Sequence, residues 1–150
     1  MIRKTYQRVK VSLVRERVDD EYRARTIATP DGAASLVRAI VADDPRESFF
    51  ALYLDTRHRI IGVHTVSIGT LDSASVHPRE VLGPALAMSA AAIIIAHNHP
   101  SGDPTPSKAD NVVTSRLRQA AELLGIDFLD HVVIGESSFF SYQSKRKVSF

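Results

Sequence analysis

The 150-residue sequence contains no cysteine. That single absence excludes disulfides, thiolate zinc sites and cysteine nucleophiles, and it fits an intracellular, cytoplasmic setting. The first ten residues, MIRKTYQRVK, carry positive charge with no apolar segment behind it, so they do not read as a secretory leader. No apolar run approaches the roughly 18 residues that a membrane helix requires. The net charge is only +2, too small to imply a nucleic-acid partner. Basic residues gather at the two ends (Arg3, Lys4, Arg8 and Lys10; Lys145, Arg146 and Lys147), where they read as solvated termini. Internal repeats and low-complexity tracts are missing. So are the helix-borne H-E-x-x-H of many zinc proteases and the H-x-E with P-C-x-x-C of nucleoside deaminases. What remains, 44% hydrophobic and 24% charged, is the composition of one ordinary globular domain with a core of its own.

Residues 1–25 read as a charged arm in which the alternation of Val9 to Val14 marks an edge strand, and residues 26–150 as the domain proper. Thr29 and Pro30 predict a helix start, with Leu36, Val37, Ile40 and Val41 as its apolar stripe and Asp43-Asp44-Pro45 as its stop. Phe49 to Asp55, apolar on both faces, predicts a central strand, and Ile60 to Val66 its hairpin partner. After a small polar loop from Ser67 to Val76, His77-Pro78 opens a second helix. Its inward side is Val81, Leu82, Ala85, Leu86 and Met88. Ala92 to Ala96 forms a strand that runs into two histidines. Ser107 to Leu124 is a long helix with Val113, Leu117, Ala120 and Leu124 on one face, closed by Gly125. Ile126 to Ile134 is one more strand, and the tail from Gly135 adds a final edge strand. Strands alternating with helices, plus one hairpin, predict an α/β domain with a mixed sheet and helices on its faces. Sites in such sheets lie beyond strand ends.

The stretch IIIAHNHPSGDPTPSKAD, Ile93 to Asp110, occupies such a position. His97 and His99, two apart on an extended segment, point to one side, and converging neutral imidazoles suit zinc. The bend through Pro100, Gly102, Pro104 and Pro106 reverses the chain and lets Asp110 face back towards them. Two nitrogens and a carboxylate are the ligand pattern of a catalytic zinc with one position open. Zinc lowers the pKa of water to about 7, and the proton released needs a base. Glu47, ahead of the first central strand, is the candidate, and Ser107 is a candidate donor to a developing oxyanion. Competing readings stand beside these. Ser107-x-x-Asp110 also has the form of a helix capping box, and a carboxylate can serve both a metal and a backbone N–H. Glu80 is a rival base that better suits the positive end of its own helix. His58, His64 and His77 read as structural or exposed. His131 reads as an interior histidine, with a supporting contact to the metal shell as the lesser alternative. Asn98 reads as a holder of the turn.

Glu47, His97-x-His99, ten intervening residues and Asp110, with Ser107 three before it, resemble the JAMM (MPN+) metalloprotease signature. The stretches VSIGTLDSASVHPREV, AHNHPSGDPTPSKAD and LGIDFLDHVVIG resemble the RadC-like family, formerly called DNA repair protein RadC, over nearly the whole chain from Val9. The resemblance implies a JAB-type α/β/α fold of the cytidine-deaminase-like kind. It implies one zinc held by His97, His99 and Asp110, with Glu47 as general acid/base and Ser107 steadying the tetrahedral intermediate. Zinc-dependent hydrolysis of a peptide or isopeptide-like amide in an unidentified protein or peptide substrate is the activity it points to. Eukaryotic relatives cleave isopeptide bonds to ubiquitin and often carry serine or threonine where this chain has Asn98. Longer RadC proteins add an N-terminal helix-hairpin-helix region, and this chain reads as a short form without it. The alternative is a DNA-repair-associated accessory module whose zinc site is structural or vestigial.

Overall fold

The computed structural model describes residues 26–41, 45–69 and 76–150. The N-terminal arm expected over residues 1–25, with its edge strand, lies outside them, as do two residues of the expected helix stop, Asp43 and Asp44. The chain order is α1 (Pro30–Val41), β1 (Ser48–Leu54), β2 (Ile60–Ile68), α2 (Pro78–Ala87), β3 (Ala92–Asn98), α3 (Lys108–Leu123), β4 (Asp127–Ile134), β5 (Ser138–Ser141) and β6 (Arg146–Ser149).

Among the described residues the strands form one mixed six-stranded sheet in the order β2-β1-β3-β4-β5-β6. β1 lies between antiparallel neighbours, with Phe49 opposite His97 and Leu54 opposite Ala92, while β3 and β4 run parallel with Ile95 opposite His131. A parallel pair needs a long crossover, and α3 supplies it. β1 and β3 are buried at every position, as their uninterrupted apolar runs require, because both faces of the sheet are covered. Ala33, Ala34, Leu36 and Val37 of α1 pack with Phe50, Leu52, Leu54, Ile94 and Val132 on one face. Val81, Leu82 and Ala85 of α2 and Val113 and Leu117 of α3 pack with Phe49, Tyr53, Ile93 and Ile95 on the other. The α/β/α layering is therefore as the sequence and the resemblance lead one to expect.

Several details differ. Ile40, Leu86 and Leu124, inward by the apolar pattern of the sequence, are 37%, 52% and 44% exposed. In α1 the buried arc turns on Ala33, Leu36 and Val37, one helical turn earlier than the large residues alone suggest. In α2, Leu86 lies inside the helix but on its outer side, while Met88, one residue past the helix end, still packs against the core as expected. The tail holds a two-strand hairpin, β5 and β6, where one edge strand was expected. Finally, β3 continues through Asn98, which makes His97 a residue of the strand and not of the turn after it.

Candidate metal centre

His97 is delivered by the alternation of β3. Ile93, Ile95 and His97 share the face covered by α2 and α3, and the imidazole is completely buried, stacked on Phe49 with ring centroids 5.8 Å apart. One residue beyond the strand, His99 comes round on the same side, and its Nε2 lies 2.9 Å from Nε2 of His97. The turn that follows is pinned to the end of β4. His99 N–H donates to Ile134 O (2.8 Å), and Glu136 N–H donates to Gly102 O (3.0 Å). Gly135 has no room for a side chain, since a Cβ there would lie 2.7 Å from Cδ of Pro104. Inside the turn, His99 Nδ1 is 2.8 Å from the carbonyl oxygen of Asp103. A carbonyl can only accept, so the proton of a neutral His99 sits on Nδ1 and Nε2 presents a lone pair.

The reversal brings in the first turn of α3. Ser107 Oγ accepts from Asp110 N–H (3.1 Å), and Ser107 N–H donates to Asp110 Oδ2 (2.7 Å), a complete capping box. The same carboxylate faces the imidazoles, with Oδ1 3.1 Å from His97 Nε2 and Oδ2 3.3 Å from His99 Nε2. The cap and the histidine-facing role of Asp110 coexist. Burial works to raise its carboxyl pKa, but His97 and His99, which donate to it from Nε2 when their rings are protonated, outweigh that and hold it well below the usual carboxylate range. The partner effect appears at His99, whose pKa is raised first by its hydrogen bond with Asp110, against the opposing effect of burial.

Glu47 enters from the start of β1. Its carboxylate and the ring nitrogens of His97 and His99 all lie within 4.8 Å of one another. Its backbone is held on both sides by one side chain. Asn98 Oδ1 accepts from Ser48 N–H (2.8 Å), and Asn98 Nδ2 donates to Arg46 O (2.9 Å). Asn98, between the two histidines, thus grips the strand that carries Glu47, and not the turn after His99 as the sequence suggested. Glu80 sits in the first turn of α2 against Arg79, 3.3 Å away, and is not in the cluster with His97 and His99.

Two more residues reach the site: His131, for which a supporting contact was the lesser alternative, and Thr114, which the sequence reading did not name. His131, at the middle of β4, is fully buried with both ring nitrogens engaged, as an interior histidine should be, but one of its partners is His97 (Nδ1 to Nε2, 2.8 Å). The other is Thr114 Oγ1, 2.6 Å from its Nδ1. Burial, foremost, holds the His131 pKa well below its ordinary value. Thr114 was legible in principle, because it falls four residues after Asp110 and so on the same helical face.

Comparison with known proteins gives a consistent assignment. The family model described as "RadC-like JAB domain" matches residues 27–147. Relatives named "UPF0758 protein" include one from Desulforamulus reducens, 50% identical over 119 residues, covering 79% of this chain and 52% of the relative. One from Desulforudis audaxviator is 51% identical over 116 residues (77% and 50%). One from Methanosarcina mazei is 44% identical over 121 residues (81% and 53%). The chain spans about half the length of these curated relatives.

Proposed function

The chain belongs to the RadC-like JAB domain family, and on that premise we propose that it is a zinc-dependent hydrolase of peptide or isopeptide-like amide bonds. One observation carries this reading. His97 Nε2, His99 Nε2 and the two Asp110 oxygens face one another at 2.9, 3.1 and 3.3 Å. Metal–nitrogen bonds of about 2.0–2.1 Å in tetrahedral array put ligand atoms roughly 3.3 Å apart, so the donor set fits one small cation. Imidazole and carboxylate without thiolate suit zinc. Three protein ligands leave one position for chemistry, where zinc, when bound, supplies Lewis acidity enough to make water a nucleophile at neutral pH.

The remaining work falls to this chain's own groups. Glu47, within 4.8 Å of both imidazole nitrogens, is in reach to take a proton from water and return it to a departing amine. Ser107 uses a lone pair for the cap, and its O–H remains able to donate to a substrate oxygen. The test is a comparison of wild type with Glu47→Ala by metal analysis and proteomic cleavage profiling. The variant should hold one zinc per chain and lose all cleavage. A Glu47→Ala protein that still cleaves the wild-type set would rule out this assignment of the base.

A further inference from the structure

Behind His97 runs a series of hydrogen bonds whose direction is set at its far end. The Thr114 hydroxyl has one hydrogen, and it lies 2.6 Å from the carbonyl oxygen of Asp110, an atom that can only accept. That hydrogen is committed. Towards His131 Nδ1, also 2.6 Å away, Thr114 Oγ1 then has only a lone pair to offer, so Nδ1 carries the ring proton. His131 is completely buried, which disfavours a doubly protonated ring, and Nε2 is left as an acceptor. His97 Nδ1, 2.8 Å from that acceptor, must be the donor. A neutral His97 therefore has no hydrogen on Nε2, the atom aimed at His99 and Asp110.

We propose that Thr114 and His131 are positioning residues that hold His97 as its Nδ1–H tautomer, keeping the Nε2 lone pair turned into the cluster. Tyr142 helps by stacking flat on His131, with centroids 4.9 Å apart and planes within 6°, and it is anchored in turn by its hydroxyl on Asn111 Oδ1 (2.8 Å). Thr114 and Asp110 share one helical turn, so a single hydroxyl fixes both the backbone that carries the carboxylate and the proton of the imidazole opposite it. The Asp110 carbonyl is what excludes the opposite arrangement. If Thr114 donated to His131 Nδ1, His131 would donate from Nε2, and His97 would carry its proton on the metal-facing nitrogen.

The functional meaning of this lock rests on the zinc reading; the tautomer itself does not. Long-range 15N–1H correlation spectra of the metal-free, 15N-histidine-labelled protein at mildly alkaline pH distinguish the two forms. Wild type should show His97 and His131 both as Nδ1–H. Thr114→Val should move a measurable share of His97 to Nε2–H and weaken zinc binding, read by chelator competition, by about 10–100-fold. Thr114→Ser should restore both. A wild-type His97 protonated on Nε2, or a Thr114→Val protein with unchanged tautomers, would overturn the proposal. The wild-type spectrum decides even if Thr114→Val fails to fold. An intact tautomer in a wild type that binds no zinc would support the lock and overturn only the zinc reading.

Discussion

At the scale of single residues, the site depends on groups that each satisfy more than one neighbour. Asp110 closes a capping box and faces two imidazoles. Asn98 is the other case, because a side-chain amide offers a donor and an acceptor and here uses both on the backbone flanking Glu47. Asn98→Ala should leave the Ser48 N–H buried without its partner and cost about 1–3 kcal/mol in stability, read from denaturant unfolding. Zinc affinity should change little, while turnover of any identified substrate should fall on the order of 10²-fold through misplacement of Glu47. Asn98→Asp keeps the acceptor but sets a carboxylate against the Arg46 carbonyl, so it should recover only part of either loss. Unchanged turnover in a folded Asn98→Ala protein would show that Glu47 does not need this grip.

Among the elements, the hairpin between β1 and β2 has its own electrostatic fastening. Asp55 accepts from the backbone N–H groups of Arg57 (2.8 Å) and Arg59 (2.9 Å) and from Arg59 Nε (2.7 Å). The backbone bond from Arg59 is the largest influence holding the Asp55 pKa below its ordinary 3.8, with burial opposing it. A carboxylate whose folded pKa is depressed contributes stability that is complete above its unfolded value and is lost as pH falls through the folded one. Unfolding curves of wild type should therefore show a loss below pH 3.8 that is smaller in Asp55→Asn, which keeps the backbone acceptor but not the charge. Identical acid limbs would remove Asp55 from the hairpin's stability.

Much of the element plan was legible in the chain. The buried runs FFALYL and AIIIA, the Pro starts of α1 and α2 and the Ser107 cap all act locally, and the structure follows them. The short strands β5 and β6 were not, because Arg146-Lys147-Val148-Ser149 has the letters of a solvated tail and becomes a strand only by pairing with β5. The same limit applies to the site. His97-x-His99 and Asp110 are close in sequence, so one bend relates them. Glu47 and His131 reach His97 only through pairings of β1 and β4 with β3, and no local pattern states which strands are neighbours.

On the scale of the whole molecule, the sheet gathers chemistry at one end. The start of β1, the ends of β3 and β4 and the first turn of α3 meet there, while α1 and the opposite face of the sheet serve the core. Among the described residues no helix is long and apolar enough to cross a membrane. The cluster of Glu47, His97 and His99 is the group suited to a metal ion among those residues, with Asp110 3.1 and 3.3 Å from the two histidines. Zinc titration of the metal-stripped protein, followed by native mass spectrometry and chelator competition, tests that centre most directly. An open zinc site predicts one tightly held ion per chain, retained by Glu47→Ala and lost by His99→Ala. A folded wild type that takes up no zinc, or a His99→Ala protein that binds it as tightly as wild type, would contradict it.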